Sequence, residues 1–501
     1  VTAKDQPPAQ DPALAGLKRL SLRGGTFTLA SQGVITVVQL TSTVVLARLL
    51  LPEDYGMVAM VTALTSFAGL FRDMGLSPAA VQSKTLSQDQ QSNLFWLNVA
   101  LGSLLCVLVS SASPLVAWFY DKPELLPVTI ALSLPFLIHS LSTQHGVSLA
   151  REMKFGRKAI VTISASLVAF ATATMLALAG YGYWALVWSQ VVGALTSTLL
   201  LMALSSFHPG FYRKGSGIGR MVHFGAHVTG FELVNYFHRN LDSILIGYFR
   251  GDQELGLYNR AYGLLMLPLR AIRGPINQVA MPALSKLQDE GDTYRGYYRR
   301  MVMIVAFLTM PLSALLALEA ELVIRVALGE NWAGVTPLFQ VLAICALIQP
   351  VAGLRGVVML SLGHSSRYFY WGLINAAVTS ISFLIGIYWG ALGVAAMYAV
   401  SQYLLLYPSL LIAFHKTVLR LRDFFQPLTV PVLATLGATV TTYFLKTTLF
   451  TQWNLVSFAE LGLNGFCFTI FYAFVFLLLP KGRSELRALL ALSKELFQRE
   501  N

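Results

Sequence analysis

The sequence predicts an all-α polytopic membrane protein of about fourteen transmembrane helices, built as two six-helix lobes related by a parallel repeat, plus two trailing helices. Three observations carry that expectation. Hydrophobic residues fill 55% of the 501 positions and charged residues only 12%, with a mean hydropathy of +0.62. A water-soluble chain carries nearer a quarter charged residues, so this one uses lipid as its solvent. The apolar residues fall in runs of about twenty, the length a helix needs to cross a bilayer core. The basic residues collect in every second connection between those runs.

Residues 1–23 begin "VTAKDQPPAQDPALAG", a polar, Pro/Ala-rich stretch that enters a long apolar span without a small-residue cleavage site. This reads as a disordered cytosolic tail rather than a signal peptide. Spans follow at 24–47, 55–78, 93–119, 125–147, 159–180 and 183–205, forming a first lobe over 24–206. A cytosolic linker at 207–220 leads to spans at 221–249, 254–275, 301–319, 334–362, 368–389 and 391–414, a second lobe over 221–415. Spans at 426–448 and 456–480 complete the series within 416–480, and 481–501 form a second cytosolic tail. The connections are short, so no extramembrane domain is expected.

Orientation follows from Lys and Arg. Of 36 basic residues, 27 lie in the N-terminal tail and every second connection after it, counting Arg270 and Arg273 at the end of the eighth span with the connection that follows. The opposite side holds five, Arg48, Lys122, Arg250, Arg325 and Lys446, and four lie within spans: Arg72, Arg239, Arg260 and Arg355. This asymmetry places both termini in the cytoplasm of a cell inner membrane protein. It also accounts for the net charge of +12 as topology and contact with anionic lipid rather than nucleic-acid binding.

The chain repeats itself. "VLARLLLPEDYGMVAM" joins the first two spans through an acidic, Gly-ended turn, and "ILIGYFRGDQELGLYNRA" does the same about 200 residues later. Six spans separate the two, which restores the original orientation and makes the repeat parallel, as in transporters with two halves.

Charge inside the seventh span is the main functional signal. His223, His227, Glu232, Asn235, His238, Arg239 and Asp242 share one half of a helix whose other half is apolar. Each full charge at a bilayer centre costs at least a few kcal/mol, so that half should face water or protein. In the first span Gln32, Thr36, Gln39 and Thr43 make a second polar stripe, spaced i, i+4, i+7, i+11. Two such faces meeting on a pseudo-twofold axis would form a hydrophilic cavity. Arg239 and Asp242 stand i, i+3, so two readings are open: mutual neutralisation, or a cationic site guarded by a carboxylate that cargo displaces. His139 and His145 read as satisfied polar residues. In "LFRDMGLSPAA", Arg72 and Asp73 precede Gly75 and Pro78, either as an inner-end ion pair or at a helix break.

The stretches "VVQLTSTVVLARLLLPEDYGMVAM", "DMGLSPAAVQSK", "LFWLNVALG", "NLDSILIGYFRGDQELGLYNRAYGLLMLP" and "PALSKLQDEGDTYRGYYRRM" together resemble the polysaccharide flippases. More narrowly, the chain is similar to the colanic-acid-exporter-like branch of the MOP superfamily, over nearly its whole length. The resemblance implies a MATE-like fold and transfer of undecaprenyl-pyrophosphate-linked oligosaccharide from the inner to the outer leaflet for surface or exopolysaccharide assembly. It leaves the glycan open. The implied partners are the lipid-linked oligosaccharide, membrane lipids, and polysaccharide polymerase and export machinery.

Residue chemistry agrees with such a cargo. A pyrophosphate calls for arginine, and a glycan for amides, hydroxyls and aromatic rings. Arg239, Arg260, Arg270 and Arg273 are the candidates for phosphate, and Gln32, Gln39, Asn235 and Tyr236 those for sugar. Arg270 and Arg273 have a second reading as inner-face topology residues. Glu232, His238, Asp242 and Asp73 are the candidates for proton or ion coupling.

Rival readings are a MATE-type cation-coupled antiporter, a peptidoglycan-precursor flippase and a membrane glycan polymerase. The antiporter needs membrane carboxylates, and the first span has none. The polymerase needs catalytic loops, and no DxD, HExxH or GxxxxGK[ST] motif is present. Cys106, Cys345 and Cys467 sit singly in apolar runs without disulfide or ligand spacing, so neither a metal nor another cofactor is expected.

Overall fold

The computed structural model describes the backbone of residues 12–83, 85–214, 217–448, 457–479, 482 and 483. Side chains are described for the same residues apart from 12–30, 220, 221, 223–239, 275 and 277–279. Every regular element among them is a helix. They gather into two compact units, Val1–Phe237 and His238–Asn501.

In the first unit, α1 (Pro12–Leu49) ends where Leu51 turns extended, and α2 (Pro52–Gly69) starts afresh. Pro52 suits a first helical turn because it lacks the N–H that would go unpaired there. Glu53 and Asp54 follow in that turn, where the helix dipole favours anions. Asp54 Oδ2 accepts a hydrogen bond from the Leu51 N–H at 2.9 Å. Met74 and Gly75 have φ of 44° and 65° and separate α2 from α3 (Leu76–Gln82). The span at 55–78 is therefore broken where Gly75 stands. The unit continues with α4 (Gln88–Ser111), α5 (Ser113–Phe119), α6 (Leu125–Ser140), α7 (Thr143–Arg151), α8 (Phe155–Leu178) and α9 (Tyr183–Leu204).

Next, α10 (Gly219–Lys286) bends at Gly251, φ 84°, into two arms that match the spans at 221–249 and 254–275. The second unit adds α11 (Gly291–Leu318), α12 (Ala320–Ala327), α13 (Val335–Ala352), α14 (Leu354–Ser361), α15 (Ser365–Gly386) and α16 (Gly390–Phe414). The trailing helices are α17 (Leu421–Thr448) and α18 (Ser457–Leu478).

Packing repeats as the sequence does. α4 packs on α6, α6 on α9 and α8 on α9; correspondingly α11 packs on α13, α13 on α16 and α15 on α16. The repeated acidic turns hold equivalent places in both units. Gly182 (φ 51°) starts α9 so close to Asp54 that a Cβ would stand 2.9 Å from Asp54 Oδ1. Gly390 (φ 75°) starts α16 in the same relation to Glu254, at 2.8 Å from Oε2. Glu254 Oε2 also accepts the Ala391 N–H at 2.8 Å, and Arg250 donates to the carbonyls of Ile387 and Tyr388 at 3.0 and 2.6 Å. The turn that carries the family resemblance is thus a clamp, tying the second span of each repeat to the start of its sixth.

Beyond the repeat, α17 packs on α11 and α18. Phe307, Tyr472 and Phe476 meet ring to ring there, and the Tyr472 hydroxyl donates to the Phe307 carbonyl at 3.1 Å. Lys446 reaches the fully buried Glu319 at 2.8 Å.

Helices occupy each of the fourteen expected spans. Among the described residues nine stretches are long and apolar enough to cross a membrane, one of them (Ser365–Phe414) covering two helices. The number is ten when α6 and α7, bent by 41°, count as one span. Val37, Met175, Leu404 and Phe444 are each more than 60% exposed, as side chains solvated by lipid should be. The chain is a multi-pass membrane protein.

Candidate functional site

Within the second unit lies a polar cavity of about 670 Å³. The second arm of α10 forms its long wall with Tyr258, Asn259, Tyr262, Met266, Leu269, Arg270 and Arg273. That spacing keeps one helix face inward over roughly 22 Å. Asn240, Asp242 and Ser243 join from the first arm, Asn375, Thr379 and Phe383 from α15, and Tyr398 and Gln402 from α16.

The chain opens room for cations where α13 gives way to α14. Pro350 and Gly353 mark that break, and both line the cavity with Gln349 and Arg355. Gly353 leaves room for its neighbour: a Cβ there would lie 2.3 Å from Arg273 Nη2, so the guanidinium would have to move. Arg355 donates to the Ala352 carbonyl at 3.0 Å and rests over the Trp371 ring at 5.6 Å, a cation–π placement that fixes its plane. Arg273 and Arg355 line the same cavity. With Arg270 they give the cavity three guanidinium groups.

Its one lining carboxylate among the described residues is held from two sides. Asp242 Oδ2 accepts from the Tyr258 hydroxyl at 2.8 Å, and Oδ1 from the Ser243 N–H at 2.7 Å. Ser243 Oγ donates to Asn259 at 3.3 Å, and Gln349 to the Tyr398 hydroxyl at 2.8 Å. Thr379 is buried with no hydrogen-bond partner for its hydroxyl among the described residues. Three fixed cations against one carboxylate, beside amides, hydroxyls and rings, can hold a dianion that carries hydroxyl groups.

The sequence candidates divide accordingly. Arg270, Arg273 and Asp242 come together in this cavity. Arg260 is on the same arm but outside the lining. Glu232, Asn235, Tyr236, His238 and Arg239 lie outside the described side chains, and the Arg239–Asp242 pair with them. Gln32 and Gln39 are exposed on α1 of the first unit, where Thr36 and Thr43 bond back to their carbonyls at 2.8 Å. Asp73 sits in a separate network of the first unit. Its carboxylate accepts from Ser77 N and Oγ at 3.0 and 2.9 Å and from Asn98 at 3.2 Å. It thereby steadies the start of α3, at the helix break rather than in a cavity. His145 packs edge-on against Phe207, with Nδ1 buried and without a hydrogen-bond partner among the described residues.

Sequence reasoning passed over Arg355, Tyr258, Tyr398, Gln349 and Thr379. For Arg355 a signal existed: Pro350 and Gly353 in "LIQPVAGLRG" break the tenth span just before it. Thr379, Gln349 and Tyr398 carried none, since a lone polar residue in an apolar span reads equally as helix packing.

The sequence profile of a family described as "Polysaccharide biosynthesis protein" matches residues 45–337, more than half the chain. The chain is 28% identical over 382 residues to the teichuronic acid biosynthesis protein TuaB of Bacillus subtilis, covering 76% of this chain and 79% of that protein. It is 24% identical over 376 residues to the lipopolysaccharide biosynthesis protein WzxC of Escherichia coli, covering 74% and 76%. Among solved structures it resembles the lipid II flippase MurJ in an inward closed conformation, with a TM-score of 0.72 and 13% identity over 90% of this chain and 98% of that one. That likeness speaks for the fold. By the profile match, the chain belongs to the polysaccharide biosynthesis protein family.

Proposed function

We propose that this transporter flips an undecaprenyl-pyrophosphate-linked oligosaccharide across the cell inner membrane by alternating access, with both termini in the cytoplasm. The second-unit cavity is proposed to take the polar end of that cargo. The observation that carries the reading is the set Arg270, Arg273 and Arg355 with Asp242 in one intramembrane cavity. Its formal excess of two positive charges matches the two negative charges of a pyrophosphate diester. An empty cationic cavity in a low-dielectric surrounding is costly, so a dianion that completes it is bound strongly. Tyr258, Tyr262, Tyr398 and Phe383 offer faces for sugar rings, and Asn259, Gln349 and Gln402 offer amides for hydroxyls. Names of relatives support the class of cargo, since TuaB and WzxC are both named for the biosynthesis of cell-surface polymers.

Glycan export in a deletion strain complemented with variants tests the reading. Arg273→Ala and Arg355→Ala should each block export and leave lipid-linked oligosaccharide on the inner leaflet, at normal protein levels. Arg273→Lys should restore only part, because an ammonium lacks the planar fork. Normal export by both alanine variants would refute the assignment.

A further inference from the structure

Residues 208–213, in the connection between α9 and α10 within the first unit, do not hang free. They lie along the first turns of α4, which holds them by a single stripe of side chains. Gln88 donates to the His208 carbonyl at 2.7 Å. Ser92 Oγ accepts the Gly210 N–H at 2.9 Å, and Trp96 Nε1 donates to the Gly210 carbonyl at 2.9 Å. Asn93 accepts the Arg213 N–H at 2.9 Å and donates to the Arg213 carbonyl at 2.6 Å. Asp89 pairs with the Arg213 guanidinium at 3.1 Å. Upstream, Phe207 is buried against Phe95 and His145. Five backbone groups of an irregular segment are thus satisfied by side chains from one helix.

A strap in open water has no need of this, because water would satisfy the same groups. Irregular backbone at membrane depth does need it, since an unsatisfied N–H or C=O there costs several kcal/mol. The outward side agrees. Phe211 is 89% exposed and Tyr212 59%, an apolar pair held in place by a tethered backbone. Trp96, eight residues and roughly 12 Å into α4, is also exposed, and its ring, apolar with one N–H, suits the headgroup level. Lys214 follows the strap directly, and Arg157 donates to the Leu204 carbonyl just before it at 2.8 Å; both are exposed cations, suited to lipid phosphates.

We propose that residues 208–213 lie in the headgroup region of the leaflet at the basic end of the protein, with Phe211 and Tyr212 among its lipids. The partner is a phospholipid surface carrying anionic headgroups. The strap covers the middle of the polar stripe of α4, so lipid meets two aromatic rings in place of Ser92 and Asn93, which are buried beneath it.

The test uses the full chain with Cys106, Cys345 and Cys467 replaced by Ala, and Phe211→Cys labelled with a polarity-sensitive fluorophore in phosphatidylglycerol nanodiscs. The expected result is blue-shifted emission, quenched several-fold more by a shallow nitroxide lipid than by aqueous iodide. Adding Trp96→Phe should shift the emission toward the aqueous value. Free quenching by iodide would overturn the proposal, and so would shielding from both quenchers, which would mean protein covers the strap. Should Phe211→Cys fail to fold, Tyr212→Cys reads the same depth.

Discussion

The two units share a scaffold but differ in what they enclose. Between α2 and α4 the first holds an apolar pocket of about 430 Å³ lined by Leu64, Phe67, Phe71, Leu101, Leu105 and their neighbours. The second holds the arginine-bearing cavity. The clamps are alike: Asp54 and Glu254, 200 positions apart, each sit against a left-handed glycine at the head of a neighbouring helix. At the same separation, Asp73 of one unit answers to Arg273 of the other. Asp73 is consumed by a helix start, whereas Arg273 stands in a cavity beside Gly353. The repeat is alike at the ends of the spans that fix geometry, and the two units differ in the pockets they hold, one apolar and one bearing arginines.

The second unit also carries what the first lacks, the trailing pair α17 and α18. Glu319 has no solvent to stabilise it and relies on Lys446. Lys446→Met should destabilise the purified protein by about 3–5 kcal/mol, and Glu319→Gln added to it should restore most of that in thermal unfolding. A minor effect of the single change would mean that the trailing helices are held by their apolar core alone.

Legibility in the sequence followed the strength of the physical constraint. Membrane crossing demands long apolar runs, so helices appear at every expected place. The clamp turns were visible as repeated text, though not their partners, because Gly182 and Gly390 lie well over 100 residues away from the acids they meet. The polar stripe of α10 led to Asp242, but not to Tyr258, whose contact depends on the bend at Gly251. Arg355 is one of the four arginines inside spans, and its place in a cavity depends on the break between α13 and α14 that Pro350 and Gly353 make. The strap along α4 was read as plain linker, since Gln88, Ser92 and Asn93 look like an ordinary polar helix start.

The clamps give the sharpest like-for-like comparison. Gly182→Ala and Gly390→Ala should each cost about 1–3 kcal/mol, from left-handed strain and crowding of the facing carboxylate. Similar losses in melting temperature are expected from both; a loss confined to one would show that the clamps are not equivalent.

A smaller effect belongs to the first unit alone. Hydrogen bonds from Lys154, then Ser206 and Ser148, hold the Glu152 carboxyl down at about 2, against an ordinary value of 4.5. Its folded value is the lower one, so its contribution is complete above about 4.5 and fades as pH falls toward 2. Glu152→Gln should therefore melt slightly below the parent protein at pH 7, with the gap narrowing by pH 3. A gap independent of pH would place the effect in packing rather than charge.

The proposed contrast, binding in the second unit and structure in the first, is most directly tested by affinity. Parent protein, Arg273→Ala, Arg355→Ala and Asp73→Asn would each be titrated in nanodiscs with a polyprenyl-pyrophosphate lipid. Each arginine variant should lose about 2–5 kcal/mol of binding free energy while Asp73→Asn binds as the parent does. Equal affinity for all four proteins, or a loss with Asp73→Asn alone, would contradict the account.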